Sequence, residues 1–99
     1  MATFETLPSF HAGWRGMTRE QQDTFRKVVL DAFTPDLMSP GRPFRPALSI
    51  KPVPRHPEVY EMTWSPQGRA AFSYGAGRRA GEPHVIWWQI TAAAGSYML

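Results

Sequence analysis

The sequence predicts a single α+β domain in which an N-terminal strand and a helical hairpin pack on a small, mainly antiparallel β-sheet. Three observations predict it. The chain has 99 residues, enough for one core and too few for two. Its clear helical spacing of apolar residues lies before Pro35, and its strand-like segments dominate from about Leu48 onward.

Ala2 to Thr6 alternates weakly and reads as an edge strand. Pro8 and Ser9 interrupt it, and Ser9 is placed to cap a short helix through Phe10, Ala12 and Trp14 that stops near Gly16. Thr18 followed by Gln21 makes a capping box, in which each side chain satisfies a free backbone donor of the other. Phe25, Val28, Val29 and Ala32 then recur at i, i+3, i+4 and i+7, which predicts an amphipathic helix ending before Pro35. Seven prolines between Pro35 and Pro57, with SPGRPFRP at the centre, predict a stiff, extended, basic connection containing a strand near Leu48 to Val53. Val59 to Trp64 and Arg69 to Tyr74 flank SPQG, so they read as a hairpin with Pro66 and Gly68 shaping its turn. A last strand from about His84 to Ile90 follows the glycine-rich loop GAGRRAGEP.

Closing that hairpin with Trp64 opposite Arg69 puts Tyr60, Met62, Trp64, Arg69, Ala71 and Ser73 on one face. Val59, Glu61, Thr63, Ala70, Phe72 and Tyr74 then share the other. Composition alone does not say which face receives the helices.

With no cysteine, neither a disulfide framework nor a cysteine-based zinc site or nucleophile is available, and a cytoplasmic setting is expected. The three histidines, at positions 11, 56 and 84, make a poor metal set, so no metal or other cofactor is expected. The first ten residues lack the basic-then-apolar pattern of a secretion signal. Pro83 to Leu99 contains no Asp, Glu, Lys or Arg, but its 17 residues fall short of the roughly 20 that a membrane helix needs. It reads as a buried strand with a tail, and no membrane partner is expected.

The net charge of +3 conceals an uneven distribution: residues 1 to 36 sum to −1, residues 37 to 81 to +5, and Glu82 supplies the last −1. A basic second half points to an anionic partner, nucleic acid first. Solvation of an ordinary surface is the alternative.

The segments FRPALSIKPV, EVYEMTWSPQGRAAFSYG and EPHVIWWQI, in this order and after two helices, resemble the RelE/ParE superfamily of bacterial toxins from toxin–antitoxin systems. The resemblance covers Thr3 to about Tyr97. It implies a metal-independent, ribosome-associated mRNA endonuclease in which the 2′-hydroxyl attacks the neighbouring phosphate. Its partners would be mRNA, the ribosome and a cognate antitoxin. It also leaves open a catalytically weak or inactive member that acts by binding, such as a ParE-like gyrase inhibitor or an antitoxin-binding protein. Arg69 matches the arginine opening the strand after the family's turn, and Tyr97 takes the place of a tyrosine often found beyond the last strand. This chain departs from the family at TAAAGSY, which has no histidine, and before the turn, where Tyr60, Met62 and Trp64 stand at the positions expected to face Arg69.

Arg69 is thus the expected catalytic cation, able to contact two phosphate oxygens at once, with Tyr97 as acid or stacking residue. Lys51, Arg55, Arg78 and Arg79 are expected to hold RNA phosphates, or else to be plain surface charge. Trp64, with Tyr60 and Trp87, is a candidate for stacking unpaired bases or for packing the core. Trp87 and Trp88 are adjacent and must point to opposite faces. Glu61 can serve as a general base only if its face is the open one.

Overall fold

The computed structural model describes residues 2–39, 41–76 and 82–92. Strand β1 (Thr3–Thr6) leads into helices α1 (Pro8–Arg15) and α2 (Arg19–Val28), and β2 (Lys51–Val53), β3 (His56–Thr63), β4 (Arg69–Gly75) and β5 (His84–Thr91) follow. The sheet order is β1-β5-β4-β3-β2, with β1 parallel to β5 and every other pair antiparallel. This is the α+β arrangement expected. No helix among the described residues is long and apolar enough to cross a membrane.

The helices begin and end for local reasons. Pro8 occupies the first turn of α1, where its missing N–H costs nothing, and Leu7 rather than Ser9 is the N-cap. The Ser9 hydroxyl donates instead to the Trp88 carbonyl at 2.5 Å, tying α1 to β5. The capping box forms as expected, with the Gln21 N–H donating to Thr18 Oγ1 at 3.1 Å and the Thr18 N–H to Gln21 Oε1 at 2.9 Å. The helical path does not stop before Pro35. It widens over Val29–Phe33, where the Thr34 N–H reaches back five residues to the Val29 carbonyl, and continues as α3 (Thr34–Leu37). The wider turn makes room for the Pro35 ring, which would otherwise press on the carbonyl four residues earlier.

Aromatic rings fasten the helices to the sheet. Phe25 of the predicted apolar stripe meets Trp64 at 5.7 Å and Trp87 at 5.3 Å, and Phe10 meets Trp87 at 6.3 Å. Phe33, fully buried, lies 5.1 Å from Phe72, 5.2 Å from Trp87 and 5.3 Å from Phe44. Such pairs contribute about 0.5–1.5 kcal/mol each beyond their burial. α1 approaches β5 so closely that a side chain at Gly13 would collide with the Ile90 carbonyl.

The β3–β4 register differs by one residue from the expected one: Thr63 pairs with Arg69, Met62 with Ala70 and Tyr60 with Phe72. The connection is longer by Trp64, whose N–H donates to the Gly68 carbonyl at 3.1 Å, so five residues link the strands. Because side chains alternate, this slip moves Arg69, Ala71 and Ser73 to the face of Val59, Glu61 and Thr63. Tyr60, Met62, Trp64, Ala70 and Phe72 pack beneath the helices.

The proline-rich connection is anchored rather than merely stiff. Asp36 accepts from Arg45 Nε at 2.8 Å, from Nη2 at 2.9 Å and from the Arg45 backbone N–H at 2.8 Å. The Arg45 guanidinium and N–H hold the Asp36 carboxyl down at about 2, below its usual 3.8. Pro46–Leu48 forms one tight helical turn that buries Leu48, and β2 begins only at Lys51, shorter than the expected strand.

Two outcomes are expected. Phe33→Ala lowers unfolding free energy in urea by about 3–5 kcal/mol; a loss below about 1 kcal/mol would show that the helices are held elsewhere. For Asp36, the depressed carboxyl contributes stability fully present above about pH 5 and lost as pH falls through about 4 towards 2. The gap in urea midpoint between wild type and Asp36→Asn should therefore be constant above pH 5 and close in acid.

Candidate active site on the open sheet face

Three side chains with opposite charges meet on the face turned away from the helices. Lys51 of β2 pairs with Glu61 of β3, which pairs with Ala71 of β4, which pairs with Gln89 of β5. Arg69 sits one step along, diagonal to Glu61. Glu61 Oε1 lies 3.9 Å from Arg69 Nε and 4.0 Å from Lys51 Nζ. Side-chain exposures of 26 % for Glu61, 33 % for Arg69 and 69 % for Lys51 leave all three within reach of a ligand.

The turn aims Arg69. Its Nη1 donates to the Gly68 carbonyl at 2.8 Å and, more distantly, to those of Ser65 at 3.4 Å and Pro66 at 3.5 Å. Glycine is needed at 68 for space and not for a left-handed backbone, as its φ lies outside the left-handed region. A Cβ there would stand 2.5 Å from the Trp64 ring and 2.5 Å from Ser65 Oγ. Trp64 is only 5 % exposed and meets Phe25 edge-on. It therefore belongs to the core and cannot offer a face to a base, contrary to the stacking role considered for it. Tyr60 and Trp87 pack in the same core, over Phe72 and under Phe33 respectively.

Arg55 stands apart from this cluster. It occupies the tip of the tight β2–β3 turn with a left-handed φ of 72°, next to Pro54, at a position where glycine is less strained. Val53 pairs with His56 there, seven residues along β3 from Thr63, or roughly 20 Å of strand. Arg78, Arg79 and Tyr97 lie outside the described residues.

The histidines lie elsewhere. His84 is 4 % exposed, with Nδ1 2.7 Å from Thr3 Oγ1 and Nε2 2.6 Å from Glu5 Oε1, an arrangement that joins β1 to β5. It pairs with Gly75, six residues along β4 from Arg69, again roughly 20 Å away. His11 is exposed and bonded to Thr6 at 2.6 Å. Among the described residues no cluster of His, Asp and Glu is suited to a metal ion.

Glu61 and Trp88 are what sequence reasoning placed least well. Glu61's role hinged on the hairpin register, and only the length of the turn decides that. Trp88 is displaced by a bulge, as Ala71 pairs with Gln89 but Phe72 pairs with Trp87, leaving Trp88 unpaired between them. The one signal in the sequence was the Trp87–Trp88 adjacency, which correctly required opposite faces.

No family model matches the sequence, and no curated protein does. Solved structures do. YafQ from E. coli strain BL21(DE3) superposes with a TM-score of 0.55 at 7 % identity, covering 92 % of each chain. A copper-bound mutant toxin from Helicobacter pylori gives a TM-score of 0.57 at 14 % identity, over 92 % of this chain and 93 % of that one. The conserved hypothetical protein HP0894 from Helicobacter pylori gives 0.53 at 12 % identity, with the same coverage.

This chain has the RelE-like toxin fold. At such identities the likeness is one of architecture, and the RelE-like sheet here carries its own set of side chains.

Gly68→Ala should force the Trp64 ring and the turn apart, lowering stability in urea by about 1–3 kcal/mol. A neutral substitution would mean that the turn does not depend on this contact.

Proposed function

We propose that the protein is a RelE-like toxin of a toxin–antitoxin pair, acting in the cytoplasm as a ribosome-associated mRNA endonuclease. The observation that carries this reading is the gathering of Lys51, Glu61 and Arg69 on the open face of a RelE-like sheet. RNA carries its own nucleophile. As the 2′-oxygen forms its bond to phosphorus, the bond to the 5′-oxygen breaks, leaving a 2′,3′-cyclic phosphate and a 5′-hydroxyl.

Each residue has a part in this scheme. Arg69 turns its guanidinium from the turn carbonyls to two phosphate oxygens and stabilises the charge that builds up on phosphorus. Glu61 accepts the proton of the 2′-hydroxyl. Lys51 adds a second positive charge and offsets the repulsion between Glu61 and the phosphate. Tyr97 gives a proton to the departing 5′-oxygen, and Arg55, Arg78 and Arg79 hold flanking phosphates; these parts rest on sequence. A cognate antitoxin would silence the toxin. The exposed side chains of Phe4 and Leu30, which line an apolar groove of about 480 Å³ with Val29 and Met38, support the existence of a protein partner.

One observation favours a second reading, that of a member acting by binding alone, such as a ParE-like gyrase inhibitor. The Arg69 Nη1 is already engaged by carbonyls of its own turn. A guanidinium held there would support the hairpin rather than a reaction.

Expression in a bacterium separates the two. The nuclease reading predicts growth arrest with cleaved transcripts, abolished by Arg69→Ala. Arrest with intact transcripts would support gyrase inhibition, and no arrest a member that only binds antitoxin. In a translation reaction, Glu61→Gln should slow cleavage by about 10²–10⁴-fold while leaving RNA binding intact; unchanged cleavage would remove Glu61 from the scheme.

A further inference from the structure

We infer that Trp88 is a stacking platform for an unpaired nucleobase of the bound RNA, a subsite that rests on the nuclease reading above and specifies which part of the substrate the open face grips. The bulge in β5 is the first reason. Without it, strict alternation after Trp87 would put Trp88 on the open face and Gln89 under the helices; with it, Gln89 pairs with Ala71 on the open face and Trp88 projects beside it. The bulge thus re-aims Gln89 and leaves Trp88 on the open face without a ladder partner, and bulges are enriched next to active sites.

The anchoring of Trp88 is the second reason. Its indole N–H donates to Ser73 Oγ at 2.7 Å, and its carbonyl accepts from Ser9 Oγ at 2.5 Å. Ser73 is itself 6 % exposed, so the indole is held at its polar edge by a buried partner while the residue remains half-buried. A ring fixed in this way loses little freedom when a base stacks on it.

Its surroundings are the third. Along β4, Ser73 is four residues from Arg69 on the same face, roughly 13 Å, about two nucleotides of extended strand. Lys51 and Arg69 supply positive charge for the backbone, and the stretch from 37 to 81 carries a net charge of +5. A flat ring beside cations is the combination that grips single strands, phosphates by charge and bases by stacking. The competing explanation is that Trp88 only shields Val59 and Ala71, which are buried on this face.

The test compares two probes of equal length and charge, a 2′-O-methyl RNA octamer that cannot be cleaved and a fully abasic octamer, by fluorescence anisotropy of an end label. Wild type should prefer the base-bearing probe by about tenfold or more. Trp88→Leu, which keeps an apolar cover but loses the aromatic face, should lose that preference and bind the abasic probe as wild type does. Trp88→Phe should retain most of it. The inference is overturned if wild type shows no preference, if Trp88→Leu retains it, or if Trp88→Leu weakens both probes equally. Arg69→Ala separates this from the underlying reading, since it should weaken both probes alike. If Arg69→Ala has no effect, the RNA site itself is misplaced; if it has its effect and Trp88→Leu has none, only the platform fails.

Discussion

The contact between the Trp64 ring and Gly68 decides what this sheet can do. Trp64 lies 5 % exposed under α2, and the backbone of residue 68 comes so near its ring that no side chain fits between them. The turn that results has five residues, and its length sets Thr63 opposite Arg69. Every alternating position of β3 and β4 follows from that pairing. With a turn one residue shorter, Arg69 would lie under the helices and away from Glu61. The same packing that buries an aromatic core thus gathers the charged residues on the opposite face.

Polar ties hold the surrounding elements to this sheet. The Asp36–Arg45 pair fastens the end of the helical segment to the connection that leads to β2, and so to Lys51. At the other edge, His84 links Thr3 and Glu5 across the parallel β1–β5 pair. The hydroxyl of Ser9 joins α1 to the bulge in β5. None of these bonds involves Arg69, but they fix the strands whose side chains surround it.

Much of the fold was legible in the sequence because it depends on local chemistry. The Thr18–Gln21 capping box, the stripe led by Phe25, and the strands beginning near Arg69 and His84 are written in residues adjacent or one turn apart. Pro35 misled because proline ends a regular helix, whereas a widened turn at Val29–Phe33 accommodates it. Ser9 misled because a hydroxyl near a helix start has other acceptors within reach, here the carbonyl of a strand distant in sequence. At the site, Arg69 was visible from the motif after the turn. Glu61 was a conditional candidate, and that it shares a face with Arg69 was not visible, because one residue of register reverses every side chain. The bulge at Trp88 was hidden for a similar reason, as it leaves no mark in the pattern of apolar residues, and it is Gln89 whose face it changes.

The proposed chemistry requires that RNA bound on the open face be cut through the RNA's own 2′-hydroxyl. The direct measurement is analysis of the product ends when the purified protein acts on an mRNA in translating ribosomes. A 2′,3′-cyclic phosphate upstream and a 5′-hydroxyl downstream are predicted, with no cut where the reacting nucleotide is 2′-deoxy. A 5′-phosphate product, or cleavage at the 2′-deoxy position, would contradict it.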